Sequence, residues 1–247
     1  MIRYSMILIF MLTNIFGREG YFTNPIISGA HPDPSICRAG DDYYIVNSSF
    51  EYFPGLPIHH SKDLVNWDLI GYGLHREDQC NGEMNLVDVQ SDGGIHAPTI
   101  RYHKGTFYII TTNVYNSGDG SPGQMINFII TAKDPSGPWS KPHIIEGAPG
   151  IDPDIFFDDN GKVYFTGTHS PGDMNSNGIG EIWIQELDIK KWKLTGDRHT
   201  IWDGVFGCCT EGPHIYKEHG LYYLLVAEGG TVKNHAVMMA ASENIFG

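Results

Sequence analysis

The chain has 247 residues with a formal net charge of −13 at pH 7, and 41% of its residues are hydrophobic. This is the composition of a globular protein with one substantial core. The acidic balance argues against nucleic acid or an anionic membrane as a partner, suits a neutral substrate, and leaves the oligomeric state open.

The first twenty residues differ in composition from the rest of the chain. Arg3 precedes a largely apolar run, residues 6–16, that is too short to span a membrane and suits the core of a signal peptide. Residues 1–20 therefore form a signal peptide or an unstructured N-terminus. With a signal peptide in residues 1–17 the protein is secreted or periplasmic, and without one it is cytoplasmic. Residues 21–247 form a single predicted domain.

A repeated pattern of a turn glycine followed by an aromatic strand runs through this domain. The turn glycines are Gly40, Gly105, Gly161 and Gly220, at spacings of 65, 56 and 59 residues. A period near 60 residues without long amphipathic helices is typical of propeller blades of about four strands. The sequence therefore predicts an all-β propeller with about four blades in this chain, with a β-sandwich as the alternative.

Three acidic residues recur in phase with these turns. Asp33 lies seven residues before its glycine, and Asp152 and Glu211 lie nine before theirs, as His96 lies nine before Gly105. The first strand of a propeller blade lines the central channel. We therefore expect the three carboxylates to meet in one axial pocket, although a lone Asp-Pro would indicate an ordinary turn.

The stretch "HPDPS" indicates what one of these acids does. Pro32 and Pro34 restrict the backbone on both sides of Asp33. Such restraint suits a catalytic base, which must be held in a fixed position. Three carboxylates without an accompanying metal-ligand cluster fit glycoside hydrolysis, which needs a protonated acid and an ionised base, while a third acid raises the pKa of the first.

Four stretches together resemble glycoside hydrolase family 43, in its β-xylosidase and α-L-arabinofuranosidase branch. They are "NPIISGAHPDPSICRAG", "GGIHAPTIRYHKG", "GIDPDIFFDDNG" and "TEGPHIYKEHG", and the resemblance runs from about Asn24 to the end of the chain. It implies a five-bladed β-propeller, of which about four blades are present. We therefore expect a chain truncated at its C-terminus, without the fifth blade and the β-sandwich that follows it in this branch.

The resemblance also implies roles for the acids. Asp33 matches the general base, Glu211 the general acid, and Asp152 the residue that raises the pKa of that acid and positions it. The implied mechanism inverts the anomeric configuration, which requires the acid and the base to lie about 6.5–9.5 Å apart.

Other site residues are predicted on the same resemblance. Phe50, His96 and Ile151 match positions that bind the substrate, where many relatives carry tryptophan in place of His96 and some carry phenylalanine in place of Ile151. Glu228 and His235 are predicted to line the channel with polar groups. Arg101 and His214 are expected to be structural, and Phe50 has core packing as its alternative.

The implied activity is removal of terminal xylosyl or arabinofuranosyl residues from xylan-derived oligosaccharides. The alternatives are an endo-acting arabinanase or xylanase of the same fold, and a sugar-binding propeller without catalysis. No cofactor is predicted to be required, and calcium is suggested by the resemblance alone, since the sequence shows no dedicated metal-ligand cluster.

Overall fold

The computed structural model describes residues 21–80, 84, 86, 89–115, 124–172, 179–205 and 209–247. Residues 1–20, and with them the signal-peptide prediction, lie outside the described residues. The described chain is almost entirely β-structure, with one short 3₁₀ helix at Glu77–Gln79. A search of these residues finds no helix with the length and apolar character needed to cross a membrane.

The strands form four antiparallel sheets that follow one another along the chain. In each sheet the strands are ordered in space as they are in sequence. The first sheet contains β1 (Ser35–Ala39), β2 (Asp42–Val46), β3 (Gly55–Ser61) and β4 (Asp68–Leu74); the second β5 (Gly94–His103), β6 (Thr106–Tyr115), β7 (Gln124–Ala132) and β8 (His143–Ile144); the third β9 (Asp154–Phe157), β10 (Val163–His169), β11 (Glu181–Asp188) and β12 (Lys193–Trp202); and the fourth β13 (Glu211–Glu218), β14 (Leu221–Glu228) and β15 (Ala236–Ser242).

These sheets are arranged as blades of a propeller, which confirms the predicted all-β fold. The first strand of each sheet is its inner strand: β5 contacts β1 and β9, and β9 contacts β13. The beginnings of the inner strands are thereby brought together although they are far apart in sequence. The fifth blade implied by the resemblance stays a prediction.

The four repeated glycines turn the chain between the first two strands of each blade. Gly40, Gly105, Gly161 and Gly220 all have positive φ, between 65° and 85°. Each would have open space around an added Cβ atom. Glycine is therefore favoured there by the left-handed backbone conformation that these tight hairpins require, and not by crowding.

The hydrophobic core lies between the blades. Neighbouring residues on one strand point to opposite faces of its sheet, so Ile109 packs between blades 1 and 2 while Ile110 packs between blades 2 and 3. On β10, Phe165 packs towards blade 2 and Tyr164 towards blade 4. Strands that are buried on both faces can carry consecutive apolar residues, as β6 does at Phe107–Ile110 and β10 at Val163–Phe165.

Candidate active site

A cavity of about 600 Å³ lies beside the first residues of the inner strands. The three predicted catalytic acids and the three predicted substrate-binding residues line this cavity: Asp33, Asp152 and Glu211, and Phe50, His96 and Ile151. The three acids come from blades 1, 3 and 4. The cavity therefore collects carboxyl groups from residues that lie up to 178 positions apart in the sequence.

Asp33 is held just before β1 by contacts with the end of β2. Its φ is 49°, a left-handed value that aspartate tolerates better than most residues. The side-chain amide of Asn47 donates hydrogen bonds to the carbonyls of His31 (2.9 Å) and Pro32 (3.1 Å), and the backbone N–H of Ser48 also donates to Pro32 (3.2 Å). The Ser48 hydroxyl donates to Oδ2 of Asp33 itself. The base candidate is therefore fixed through both its backbone and its carboxylate.

Asp152 is the most deeply buried of the three acids, with 9% of its surface exposed. Its Oδ2 accepts a hydrogen bond of 3.0 Å from the backbone N–H of Gly212, the residue after Glu211. Burial first, and then the carboxylates of Glu211 and Asp33, raise the pKa of Asp152 to about 8, while the Gly212 bond acts in the opposite direction. Asp152 therefore retains a proton near neutral pH.

Glu211 is the first residue of β13 and is partly buried. Burial raises its pKa, His235 opposes this rise, and the Asp33 carboxylate adds to it. Burial thus raises the pKa of both carboxyl groups, and the Glu211 carboxylate raises that of Asp152 further. A β-bulge follows Glu211 on β13, and a matching bulge follows His96 on β5, so the ladder is interrupted where both side chains reach the cavity.

Phe50 and His96 form one wall of the cavity. Their ring centroids are 5.0 Å apart in an edge-to-face arrangement. Phe50 exchanges backbone hydrogen bonds with Ile95, which joins blade 1 to blade 2 at this point. Burial lowers the pKa of His96, and its Nε2 donates to the carbonyl of Asp92 at 2.9 Å. The ring is therefore neutral and oriented, presenting an apolar face beside Phe50.

His214 and Glu228 depart from the sequence expectations, whereas His235 agrees with them. His214, expected to be structural, lines the cavity, and burial lowers its pKa. His235 lines the cavity as predicted, with its Nδ1 bonded to the Gly230 carbonyl. Glu228 does not: its fully buried carboxylate accepts from Nε1 of Trp202 (2.7 Å) and the N–H of Val205 (2.9 Å), and so ties β14 to the end of β12.

A buried ion pair between the inner strands was not predicted from the sequence. Arg101 on β5 donates through Nε (2.9 Å) and Nη2 (2.5 Å) to the carboxylate of Asp154, the first residue of β9. Asp154 also accepts from the N–H of Ile215 (2.8 Å), and Arg101 donates to the carbonyl of Ile215 (3.2 Å). The pair therefore links three inner strands, β5, β9 and β13, two residues after Asp152 in the sequence. The second aspartate of the "DPD" stretch, Asp154, is the residue of the sequence that could have indicated this pair.

The described residues include no group of three or more histidine, cysteine, aspartate or glutamate side chains that could hold a metal ion. The suggested calcium stays a prediction.

Comparison with known proteins decides the family. The family model described as "Glycosyl hydrolases family 43" matches residues 22–247. The chain is a member of glycosyl hydrolase family 43. Among its family-43 relatives, a xylosidase/arabinosidase of Butyrivibrio fibrisolvens is 50% identical over 230 residues, covering 90% of this chain and 42% of the relative. A non-reducing end α-L-arabinofuranosidase of Bacteroides ovatus is 43% identical, covering 96% of this chain and 41% of the relative.

Solved family-43 structures agree with the fold. The crystal structure of a xylan β-1,4-xylosidase from Bacillus halodurans C-125 superimposes with a TM-score of 0.79 at 41% identity, covering 92% of this chain and 42% of that one. The chain thus spans about two-fifths of the length of the relatives it matches.

Proposed function

We propose that the protein is an inverting glycoside hydrolase that removes terminal xylosyl or arabinofuranosyl residues from xylan-derived oligosaccharides. The observation that carries the proposal is the meeting of three carboxyl groups in one cavity, where burial raises the pKa of both Asp152 and Glu211. The names of the family-43 relatives, xylosidase and arabinosidase, support the substrate class.

In this proposal Asp33 is the general base. Its carboxylate takes a proton from a water molecule as the water attacks the anomeric carbon of the terminal sugar. The hydrogen bond from the Ser48 hydroxyl and the restrained backbone fix the Asp33 carboxylate in place, and this reduces the entropy lost on reaching the transition state.

Glu211 is the general acid and protonates the oxygen of the leaving sugar. Its raised pKa keeps the proton available, and Asp152 positions it through the adjacent Gly212 N–H. As the glycosidic bond breaks, the electron pair passes to the leaving oxygen together with the proton of Glu211. Glu211 ends the step with one proton fewer and Asp33 with one proton more, and exchange with solvent restores both.

The substrate's non-reducing end is proposed to rest against the Phe50 and His96 wall, with Ile151 beside it. An apolar ring edge and a neutral imidazole suit a neutral sugar better than a charged one. This agrees with the acidic net charge of the whole chain.

The proposal is tested with p-nitrophenyl β-xyloside, p-nitrophenyl α-arabinofuranoside and xylobiose, using the protein at its full natural length and its Glu211→Ala variant. We expect the variant to lose most activity on xylobiose and to retain much more on the aryl glycosides, whose leaving group needs little protonation. Equal activity of the two proteins on all three substrates would remove Glu211 from the mechanism.

Product analysis separates the remaining alternatives. Proton NMR of the first-formed sugar should show the anomer opposite to that of the substrate. With reducing-end-labelled xylotetraose, we expect xylose from the earliest time points. Early internal fragments would identify an endo-hydrolase, and binding without turnover would identify a sugar-binding propeller.

A further inference from the structure

Ser48, at the position directly after β2 and Asn47, contacts the proposed base from a buried position. It is 4% exposed, and its hydroxyl donates to Oδ2 of Asp33. The hydroxyl oxygen of Ser48 also accepts a hydrogen bond of 2.7 Å from the backbone N–H of Ala97, which lies on β5 of the next blade. The serine oxygen therefore bridges a fixed backbone donor and the carboxylate.

This double contact determines the direction of the hydroxyl proton. A serine hydroxyl has one proton to donate and two lone pairs to accept. Because the Ala97 N–H occupies the accepting side, the proton is directed at Asp33, and the bond to a charged acceptor is stronger than one between neutral groups. Oδ2 is thereby engaged, and no hydrogen bond to Oδ1 of Asp33 is found among the described residues, so Oδ1 is available to a ligand in the cavity.

We propose that Ser48 is a positioning residue that orients the Asp33 carboxylate and leaves Oδ1 to take the proton of the attacking water. This inference rests on the proposed function of Asp33 as the base. The Asn47 amide and the Ser48 N–H fix the loop that carries Asp33, and the Ser48 hydroxyl fixes the reacting group itself.

The rival explanation is that Ser48 only fastens blade 1 to blade 2. The neighbouring Ser49 is a matched control, because it is also buried, at 8% exposure, and its hydroxyl oxygen accepts from the Leu56 N–H at 3.1 Å. Ser49→Ala removes a comparable hydrogen bond one residue away without touching Asp33.

The kinetic test compares Ser48→Ala, Ser48→Thr and Ser49→Ala in the full-length protein on xylobiose and on p-nitrophenyl β-xyloside. We expect Ser48→Ala to lower kcat about 10- to 100-fold on both substrates alike, with KM within about twofold, because activation of water is needed for every leaving group. Ser48→Thr should restore most of kcat, and Ser49→Ala should keep it. An unchanged kcat in Ser48→Ala, or an equal loss in Ser49→Ala, would overturn the inference.

A crystal structure of Ser48→Ala provides a second test that does not depend on turnover. The Asp33 carboxylate should turn about its Cβ–Cγ bond or occupy two orientations, while the loop keeps its place through Asn47. A carboxylate in its wild-type orientation would overturn the inference. If Asp33→Asn and Glu211→Ala both keep full activity, the proposed function fails, whatever the orientation of Asp33 in Ser48→Ala.

Discussion

Asp33 and Asp152 share a local design but occupy opposite environments. Each is followed by proline, each lies two residues before an inner strand, and each has positive φ, at 49° and 57°. Asp33 is exposed and accepts a hydrogen bond from the Ser48 hydroxyl, whereas Asp152 is buried and accepts one from the backbone N–H of Gly212. Two nearly identical turns can therefore serve different parts of one reaction, because Asp152 alone of the two is buried, and burial raises the pKa of its carboxyl group.

The largest expected effect is the loss of activity when Asp33 is substituted. Asp33→Asn should lower kcat/KM about 10²- to 10⁴-fold on aryl glycosides and xylobiose alike, since an amide cannot accept the water's proton. Asp41→Asn is the matched control, because the Asp41 side chain is exposed in the turn that follows β1. Steady-state kinetics measure both. Activity of Asp33→Asn within twofold of wild type would contradict the role of the exposed aspartate.

The next effect is a pH dependence of the free energy of unfolding that arises from Asp152. The pKa of Asp152 is raised to about 8 in the folded protein, above the value of an unfolded aspartate, so the folded state binds the proton more tightly. The resulting stability is fully present below about pH 4 and is lost as pH rises towards 8, at about 1.4 kcal/mol per pH unit. Between pH 5 and 8 the ionisation of Asp152 should contribute a loss of roughly 4 kcal/mol to the free energy of unfolding, measured by urea unfolding as the difference between wild type and Asp152→Asn.

Asp152→Asn should flatten that dependence, because the amide has no proton to lose. Asp197→Asn, an exposed aspartate of the same blade, should leave it unchanged. An identical slope in wild type and Asp152→Asn would show that the buried aspartate does not hold the proton.

A smaller effect tests whether the wall beside Asp33 binds substrate. Phe50→Leu should raise KM about 2- to 10-fold with kcat within twofold, the range expected for losing one aromatic contact. Phe22→Leu, at a phenylalanine that is 59% exposed, is the control. If KM stays unchanged in Phe50→Leu, the aromatic ring serves packing with His96 and not the sugar.

The smallest effect concerns the charge near the acid pair. His235 lowers the pKa of Glu211, so His235→Gln should raise it. Because the acid must be protonated to act, the alkaline limb of the pH profile of kcat/KM should move to higher pH. His219→Gln, on an exposed turn, should not move it. A shift to lower pH would contradict this arrangement of charges.

The sequence predicts the parts of the fold that depend on local chemistry. The turn glycines are recognisable because the hairpins need positive φ, and the acids are found because they keep the same phase relative to those turns. The gathering of Asp33, Asp152 and Glu211 at one cavity follows from that phase once the strands are assembled as blades.

Contacts between blades are beyond such reasoning. Nothing near "VNSS" signals that Ser48 bonds to both Asp33 and Ala97, because the partners lie 15 and 49 residues away. The pairing of Arg101 with Asp154 cannot be predicted for the same reason, since the two residues lie 53 positions apart, although "DPD" marks Asp154 as a candidate. The pKa of Asp152 depends on its burial, which the Asp-Pro sequence does not reveal.

Proton retention by Asp152 is tested most directly by carboxyl ¹³C NMR of the protein labelled in its aspartate side chains, titrated across the neutral and mildly alkaline range. We expect one aspartate carboxyl that titrates near pH 8 in wild type and is missing from Asp152→Asn. No aspartate titrating above about pH 6, two units above its ordinary range, or a signal near pH 8 that survives in Asp152→Asn, would contradict this division of protons.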